Sequence, residues 1–157
     1  MAQDRVENDE ILYRCVPPSG VHQVIAGKLE LSSTAFNDPT NQPSVDRAGL
    51  CGNNPSHTKK SPHDGVVMLV ACEVRRIELA RSEPNVKPAN YRVDVIPDPV
   101  LPGNNRGLPS NLAHALIIAD PTINSGSRFK KLKEALARLA SNGGWLIEPA
   151  SAAGTQR

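Results

Sequence analysis

Aromatic side chains are scarce in this chain: two Phe, two Tyr and one Trp in 157 residues. That is too few for a base-stacking platform, which needs several exposed rings. Net charge is small as well, because 18 basic residues against 16 acidic ones leave +2. Bulk charge therefore does not argue for a nucleic-acid or membrane partner. The longest apolar run, Val66–Cys72, falls well short of the roughly 20 residues that cross a bilayer. Cys15, Cys51 and Cys72 are an odd set, far apart, and match no disulfide or zinc-finger spacing. Met1–Glu10 carries Asp4, Glu7, Asp9 and Glu10 against Arg5, the opposite of a signal peptide's basic start and apolar run. The expectation is a soluble cytoplasmic protein with free thiols and no membrane attachment.

What the chain does have is punctuation. Fourteen Pro and 11 Gly break it often, so long helices are few. A hydrophobic content of 39% still suffices for a core at this length, and one domain is expected. Ile11–Val16 reads as a strand closed by Pro17-Pro18-Ser19-Gly20. Val24–Leu31 reads as a strand or hairpin about Gly27. Ser44 is a candidate cap for a short helix through Val45–Leu50, and Cys51–Gly65 is a polar loop. Val66–Val70 and Ala115–Ala119 are continuous apolar strands, and Tyr91–Val95 alternates as a half-buried one. After Ala71 the pattern fits a short helix or a further extended edge. The clearest element is an amphipathic helix over Ser127–Ser141, with Phe129, Leu132, Leu136 and Leu139 on one stripe, Ser127 as N-cap and Gly143-Gly144 as stop. Trp145-Leu146-Ile147 is a last strand. The fold class is α+β: a single compact mixed sheet over residues 11–149 with one C-terminal helix and long Pro/Gly-rich loops. Residues 1–10 form a frayed acidic arm and residues 150–157 a disordered tail.

Four groups of residues carry chemistry worth weighing. Arg14 on the first strand and Ser32-Ser33-Thr34 after the second resemble the opening elements of arginine–serine–glutamate ADP-ribosyltransferases. That resemblance implies NAD as cofactor, with Arg14 on a phosphate and Ser33 propping the pocket. Glu73, Glu78 and Glu148 are the acids open for the remaining role, and none stands in the motif that would select it. A paired edge-strand Arg and a hydroxyl-stabilised turn account for the same residues. His114 stands at the mouth of the Ala115–Ala119 strand, where an imidazole serves as general base or ligand or simply fastens a loop. Asp94, Asp98 and Asp120 are its nearest carboxylates in sequence. Cys51, His57, His63 and Asp64 share one loop, but their spacing lacks the close ligand pairs of a structural metal site, so no metal is assigned. Arg128, Lys130, Lys131, Lys133 and Arg138 make the last helix basic, a surface for phosphates or an acidic partner, or an ordinary solvated face.

Taken in order, L-Y-R-C-V-P-P, S-S-T-A-F-N-D-P, P-S-V-D-R-A, A-C-E-V-R-R-I, V-I-P-D-P-V-L-P and L-A-H-A-L-I-I resemble a group of small bacterial proteins without an assigned activity. The resemblance runs from about Leu12 to Trp145. It implies a cytoplasmic bacterial protein, encoded beside defence or toxin-like systems, and its matching positions are Arg14, Ser33, Phe36, Ser44, Asp46, Arg75 and His114. The leading reading is a binding or accessory module with a protein partner, because no complete catalytic set assembles at defensible spacing. Ligand-binding duty then falls on Arg14, Ser44, Asp46 and Arg75, with Asp46 and Arg75 as a candidate buried ion pair. The alternatives are a nucleotide- or NAD-using transferase relying on Arg14, Ser33 and His114, and a nucleic-acid-contacting protein relying on the basic helix. Convergence of Arg14, Ser33, Asp46 and His114 on one cleft is the geometric test.

Overall fold

Alternation along Ile11–Val16 decides both the first strand and its two faces. Leu12 and Val16 are fully buried on one side, with Arg14 between them, while Tyr13 and Cys15 lie on the other. The computed structural model describes residues 5–150. Of the expected acidic arm, Met1–Asp4 lies outside the described residues, as does the expected disordered tail from Ser151 onward.

The elements are β1 (Ile11–Val16), β2 (His22–Ile25), β3 (Lys28–Leu31), β4 (Ser44–Arg47), β5 (Gly65–Val70), α1 (Ala71–Arg75), β6 (Leu79–Ala80), β7 (Asn90–Pro97), β8 (His114–Asp120), α2 (Gly126–Gly143) and β9 (Trp145–Ile147). Seven strands form one sheet in the order β6-β7-β8-β4-β1-β5-β9, and β2 and β3 form a separate hairpin. The α+β class and the single C-terminal helix are as expected. Every pairing in the large sheet is antiparallel, a narrower arrangement than the mixed sheet expected. Parallel neighbours need crossovers of about a dozen residues or more, usually helical, and α2 alone has that length.

α2 covers one face. Phe129, Leu132, Leu136, Ala137 and Ala140 are buried against Leu12, Val16, Val67, Leu69, Val93, Val95 and Ile117. Burial of Leu132 and Leu136, both fully covered, is worth about 1.5–3 kcal/mol each. The hydroxyl of Ser125 accepts from the N–H of Arg128 and caps the helix. Ser127, the expected cap, instead sits in the first turn within 3.0 Å of the Ser125 hydroxyl. At the other end Gly144, with φ +73°, donates to Ala140 and Ser141 and stops the helix. β9 then returns to pair with β5. That return requires Gly65: a Cβ there would lie 2.7 Å from Trp145 Cζ3 and 2.8 Å from Pro149 Cδ.

Two expectations are corrected. Val45–Leu50 is not a helix, because β4 is a strand paired on both sides, with β1 and with β8. Ala48–Cys51 continues it as one 3-10 turn. Ladder bonds on both flanks override a cap signal worth about 1 kcal/mol. Residues 5–10 are not frayed. Val6 is fully buried, Arg75 Nη2 donates to the Val6 carbonyl at 2.6 Å, and Arg47 Nη2 donates to that of Arg5 at 2.9 Å. The N–H groups of Ala71 and Cys72 donate to Glu10 and Asn8. Among the described residues, no helix is long and apolar enough to cross a membrane.

Candidate functional site

The sheet face opposite α2 carries the candidate site. Strand register sets three side chains in a row there: Tyr13 on β1 is the partner of Asp46 on β4, and Asp46 is the partner of His114 on β8. Directly opposed residues in antiparallel strands have Cβ atoms about 4.5–5.5 Å apart. Two segments rise over this row. One holds the 3-10 turn Pro55–Thr58, capped by the Asn54 side chain, followed by Lys59 and Lys60. The other is the Pro-rich link from β7 to β8. Between them lies a cleft of about 630 Å³ lined by Tyr13, Arg14, Ser44, Asp46, His57 to Lys60 and Leu108 to Asn111, with His114. That size falls within the roughly 300–1,000 Å³ of small-ligand pockets.

Asp46 is the buried centre of the network. Its Oδ2 accepts from the Thr58 hydroxyl at 2.8 Å and its Oδ1 from Asn111 Nδ2 at 2.9 Å. His57 Nε2 lies 3.0 Å from Asn111 Oδ1 and 3.8 Å from Asp46 Oδ2. Because Asn111 Nδ2 donates to Asp46, its Oδ1 is the accepting end, so His57 donates through Nε2. On the other imidazole, His114 Nδ1 lies 2.9 Å from the Asp98 carbonyl and 3.1 Å from its Oδ2. Both partners are acceptors, which places the proton on Nδ1 and leaves Nε2 as the open nitrogen. Asp98 also pairs with Arg106 at 3.1 Å. Beside the row, Cys15 donates to Asp64 at 3.1 Å. Burial, then that bond to a carboxylate, pushes the Cys15 thiol up to about 11, which disfavours the nucleophilic thiolate. Burial also raises the Tyr13 phenol above its ordinary value.

Of the expected site residues, Arg14, Ser44, Asp46 and His114 meet at this cleft. Arg14, however, spends its guanidinium on the protein. Nε donates to Ala35 O at 3.0 Å, Nη1 to Ser44 O at 2.8 Å and Nη2 to Asn37 O at 3.3 Å, with the Phe36 ring beneath at 5.3 Å. It clamps the turn after β3 to β4. Ser33 lies elsewhere, in the groove between β3 and α2 with Glu134 and Arg138. Glu73 and Glu78 line a hollow between α1 and α2. Arg75 bonds Asp94 at 2.7 Å, not Asp46; the expected Asp46–Arg75 pair is corrected, since β4 and α1 place the two apart and each has its own partners. The basic face of α2 is partly spent as well: Arg128 donates to Ala80 O, Lys133 to Asn37 Oδ1, and Lys131 lies 3.9 Å from Glu134, leaving Lys130 and Arg138 exposed.

Among the described residues, no three His, Cys, Asp or Glu side chains group so as to hold a metal ion. Cys51 bonds the carbonyls of Arg47 and Ala48, while His57 and Asp64 take the separate partners above. Comparison of the chain with protein-family models, curated proteins and solved structures finds no match. Thr58, Lys59, Lys60 and Asn111 lie in none of the sequence blocks quoted above, and Tyr13, inside L-Y-R-C-V-P-P, is not among the matching site positions. The available signal was register: once β4 is a strand between β1 and β8, Asp46 must share a face with Tyr13 and His114.

Proposed function

We propose that this protein is a small binding module that holds an anionic group, borne by a small molecule, in the cleft above Tyr13, Asp46 and His114. One observation carries the reading. Asp46, the carboxylate that lines the cleft, has both oxygens hydrogen-bonded, by Thr58 and Asn111, and Asp98 behind His114 is paired with that ring and with Arg106. Lys59 and Lys60 line the same cleft, and their ammonium groups have no ion-pair partner among the described residues. The groups in the cleft with bonding capacity to spare are therefore the two lysines, the complement of a phosphate or carboxylate. Arg14 contributes by holding the cleft wall. The ordered sequence blocks from Leu12 to Trp145 support a bacterial cytoplasmic setting beside defence or toxin-like systems.

Calorimetric titration with inorganic phosphate, a nucleoside monophosphate and NAD tests the binding reading. Heat is expected with at least one phosphate-bearing ligand. The double substitution Lys59→Ala/Lys60→Ala should weaken binding about tenfold or more, equivalent to about 1.4 kcal/mol, and affinity should fall as salt rises. Absence of heat with every ligand, or affinity untouched by removing both lysines, refutes the assignment.

A further inference from the structure

We propose that the cleft cleaves ribonucleotide phosphodiesters by internal transfer, with His114 as general base and His57 as general acid. The proposal rests on the anion-binding reading above and names its substrate class: a phosphodiester flanked by a free 2′-hydroxyl. Two imidazoles flanking one buried carboxylate carry it. His114 is the cross-strand partner of Asp46, and His57 Nε2 stands 3.8 Å from Asp46 Oδ2.

Their second nitrogens are held so that the two rings do different work. With Nδ1 of His114 bonded to Asp98, the lone pair is on Nε2, which has no protein partner among the described residues, and the residue lines the cleft. That is the arrangement of a base oriented by a carboxylate. With Nε2 of His57 bonded to Asn111, a protonated ring offers Nδ1–H to a leaving oxygen. Lys59 and Lys60 face the non-bridging oxygens, where negative charge builds in the transition state.

The step balances without water, metal or cofactor. The 2′-hydroxyl gives its proton to His114 Nε2 as its oxygen forms a bond to phosphorus. The bond from phosphorus to the 5′-oxygen breaks, and that oxygen takes the proton from His57 Nδ1. The products are a 2′,3′-cyclic phosphate and a fragment with a free 5′-hydroxyl. His114 ends protonated and His57 neutral, and exchange with solvent restores both. Asp98 and Asn111 are positioning residues, since each acts through the imidazole it holds.

The test uses the full chain and the dinucleotide uridylyl-adenosine in EDTA, with products identified by mass spectrometry. Calorimetry with the 2′-deoxy analogue, which lacks the attacking group, measures binding alone. Expected products are uridine 2′,3′-cyclic phosphate and adenosine. His114→Asn, which keeps a donor toward Asp98, and His57→Asn should each lower the rate about 10²–10⁴-fold, the usual share of general acid–base catalysis. Both should still bind the deoxy analogue, which also shows that they fold. Binding of the analogue with no cyclic phosphate from the wild type overturns the catalytic assignment and leaves the anion site standing. No binding of either dinucleotide, with phosphate or the nucleoside monophosphate still bound, overturns the substrate class and leaves the anion site standing; no binding of any of them overturns both readings. Cleavage undiminished in His114→Asn overturns the role of that ring.

Discussion

Replacing Arg14 by Met separates two roles for this residue, ligand holder and internal clamp. The substitution keeps an apolar stem of similar length and removes the fork that reaches three backbone carbonyls, at 3.0 Å on Ala35, 2.8 Å on Ser44 and 3.3 Å on Asn37. Hydrogen bonds from a charged donor contribute about 1.5–3 kcal/mol each, and the contact with the Phe36 ring about 0.5–1 kcal/mol. The bonds share one side chain and the carbonyls partly regain water, so the sum is not additive. A loss of about 3–5 kcal/mol results, a large share of the roughly 5–15 kcal/mol that keeps an ordinary domain folded. At about 2–4 °C per kcal/mol for a chain of this size, the melting midpoint falls by about 6–20 °C. Arg14→Lys retains the charge but not the fork and should recover only part of this. Circular dichroism melts and urea titrations read the change. A midpoint within about 2 °C of the wild type, accompanied by loss of ligand binding, would show that Arg14 serves the ligand and not the fold.

Two further outcomes follow from the packing and the charges. Gly65→Ala places a methyl group 3.0 Å or less from Trp145, Pro149 and the Ile147 carbonyl, so β9 must shift. The expected cost is about 1–3 kcal/mol, with a red-shift of Trp145 fluorescence, and an unchanged urea midpoint and spectrum would contradict it. Acid should weaken the fold. The Arg47 hydrogen bond holds the Glu10 carboxyl below its ordinary 4.5; burial pushes Asp64 and Asp94 up, but bonds from Cys15 and Ser61, and from Arg75, Val95 and Arg92, outweigh it and hold both below 3.8. A carboxyl depressed in the folded state stabilises fully above its unfolded value and loses that contribution as pH falls through its folded value. Urea midpoints should therefore be level above about pH 5 and drop below about pH 4, less steeply in Glu10→Gln; a midpoint that rises on acidification would reverse the sign.

The elements read correctly from sequence are those whose signal is local. Tyr91–Val95 alternates, Val66–Val70 and Ala115–Ala119 are continuous apolar runs, and the stripe Phe129, Leu132, Leu136 and Leu139 has helical spacing; all became strands or helix. At β4 the local signal, a Ser44 hydroxyl placed to cap a helix, points the wrong way, whereas its pairing with Leu12–Tyr13 and with His114–Leu116 comes from segments distant in sequence. The same distance hid most of the site. His114 and Asp46 stood out as residue types, and Asp98 was among three carboxylates near His114. Nothing local tells that Asn111 reaches back 65 residues to Asp46 or that His57 lies beside it. The segment before β1 misled for a related reason. Its acidic composition suggests solvent, but one apolar side chain, Val6, and two guanidinium groups from β4 and α1 tie it down.

The place of β9 at the rim of the sheet bears on how the chain emerges from the ribosome. Gly65–Val70 is a six-residue stretch without charge or proline, the composition that templates pairing between molecules when its edge lies open. Its outer neighbour, Trp145–Ile147, is made only after β6, β7, β8 and α2. Until those residues arrive, every partly synthesised copy carries a bare adhesive ledge, and shielding that ledge waits on a strand made long after the one it protects.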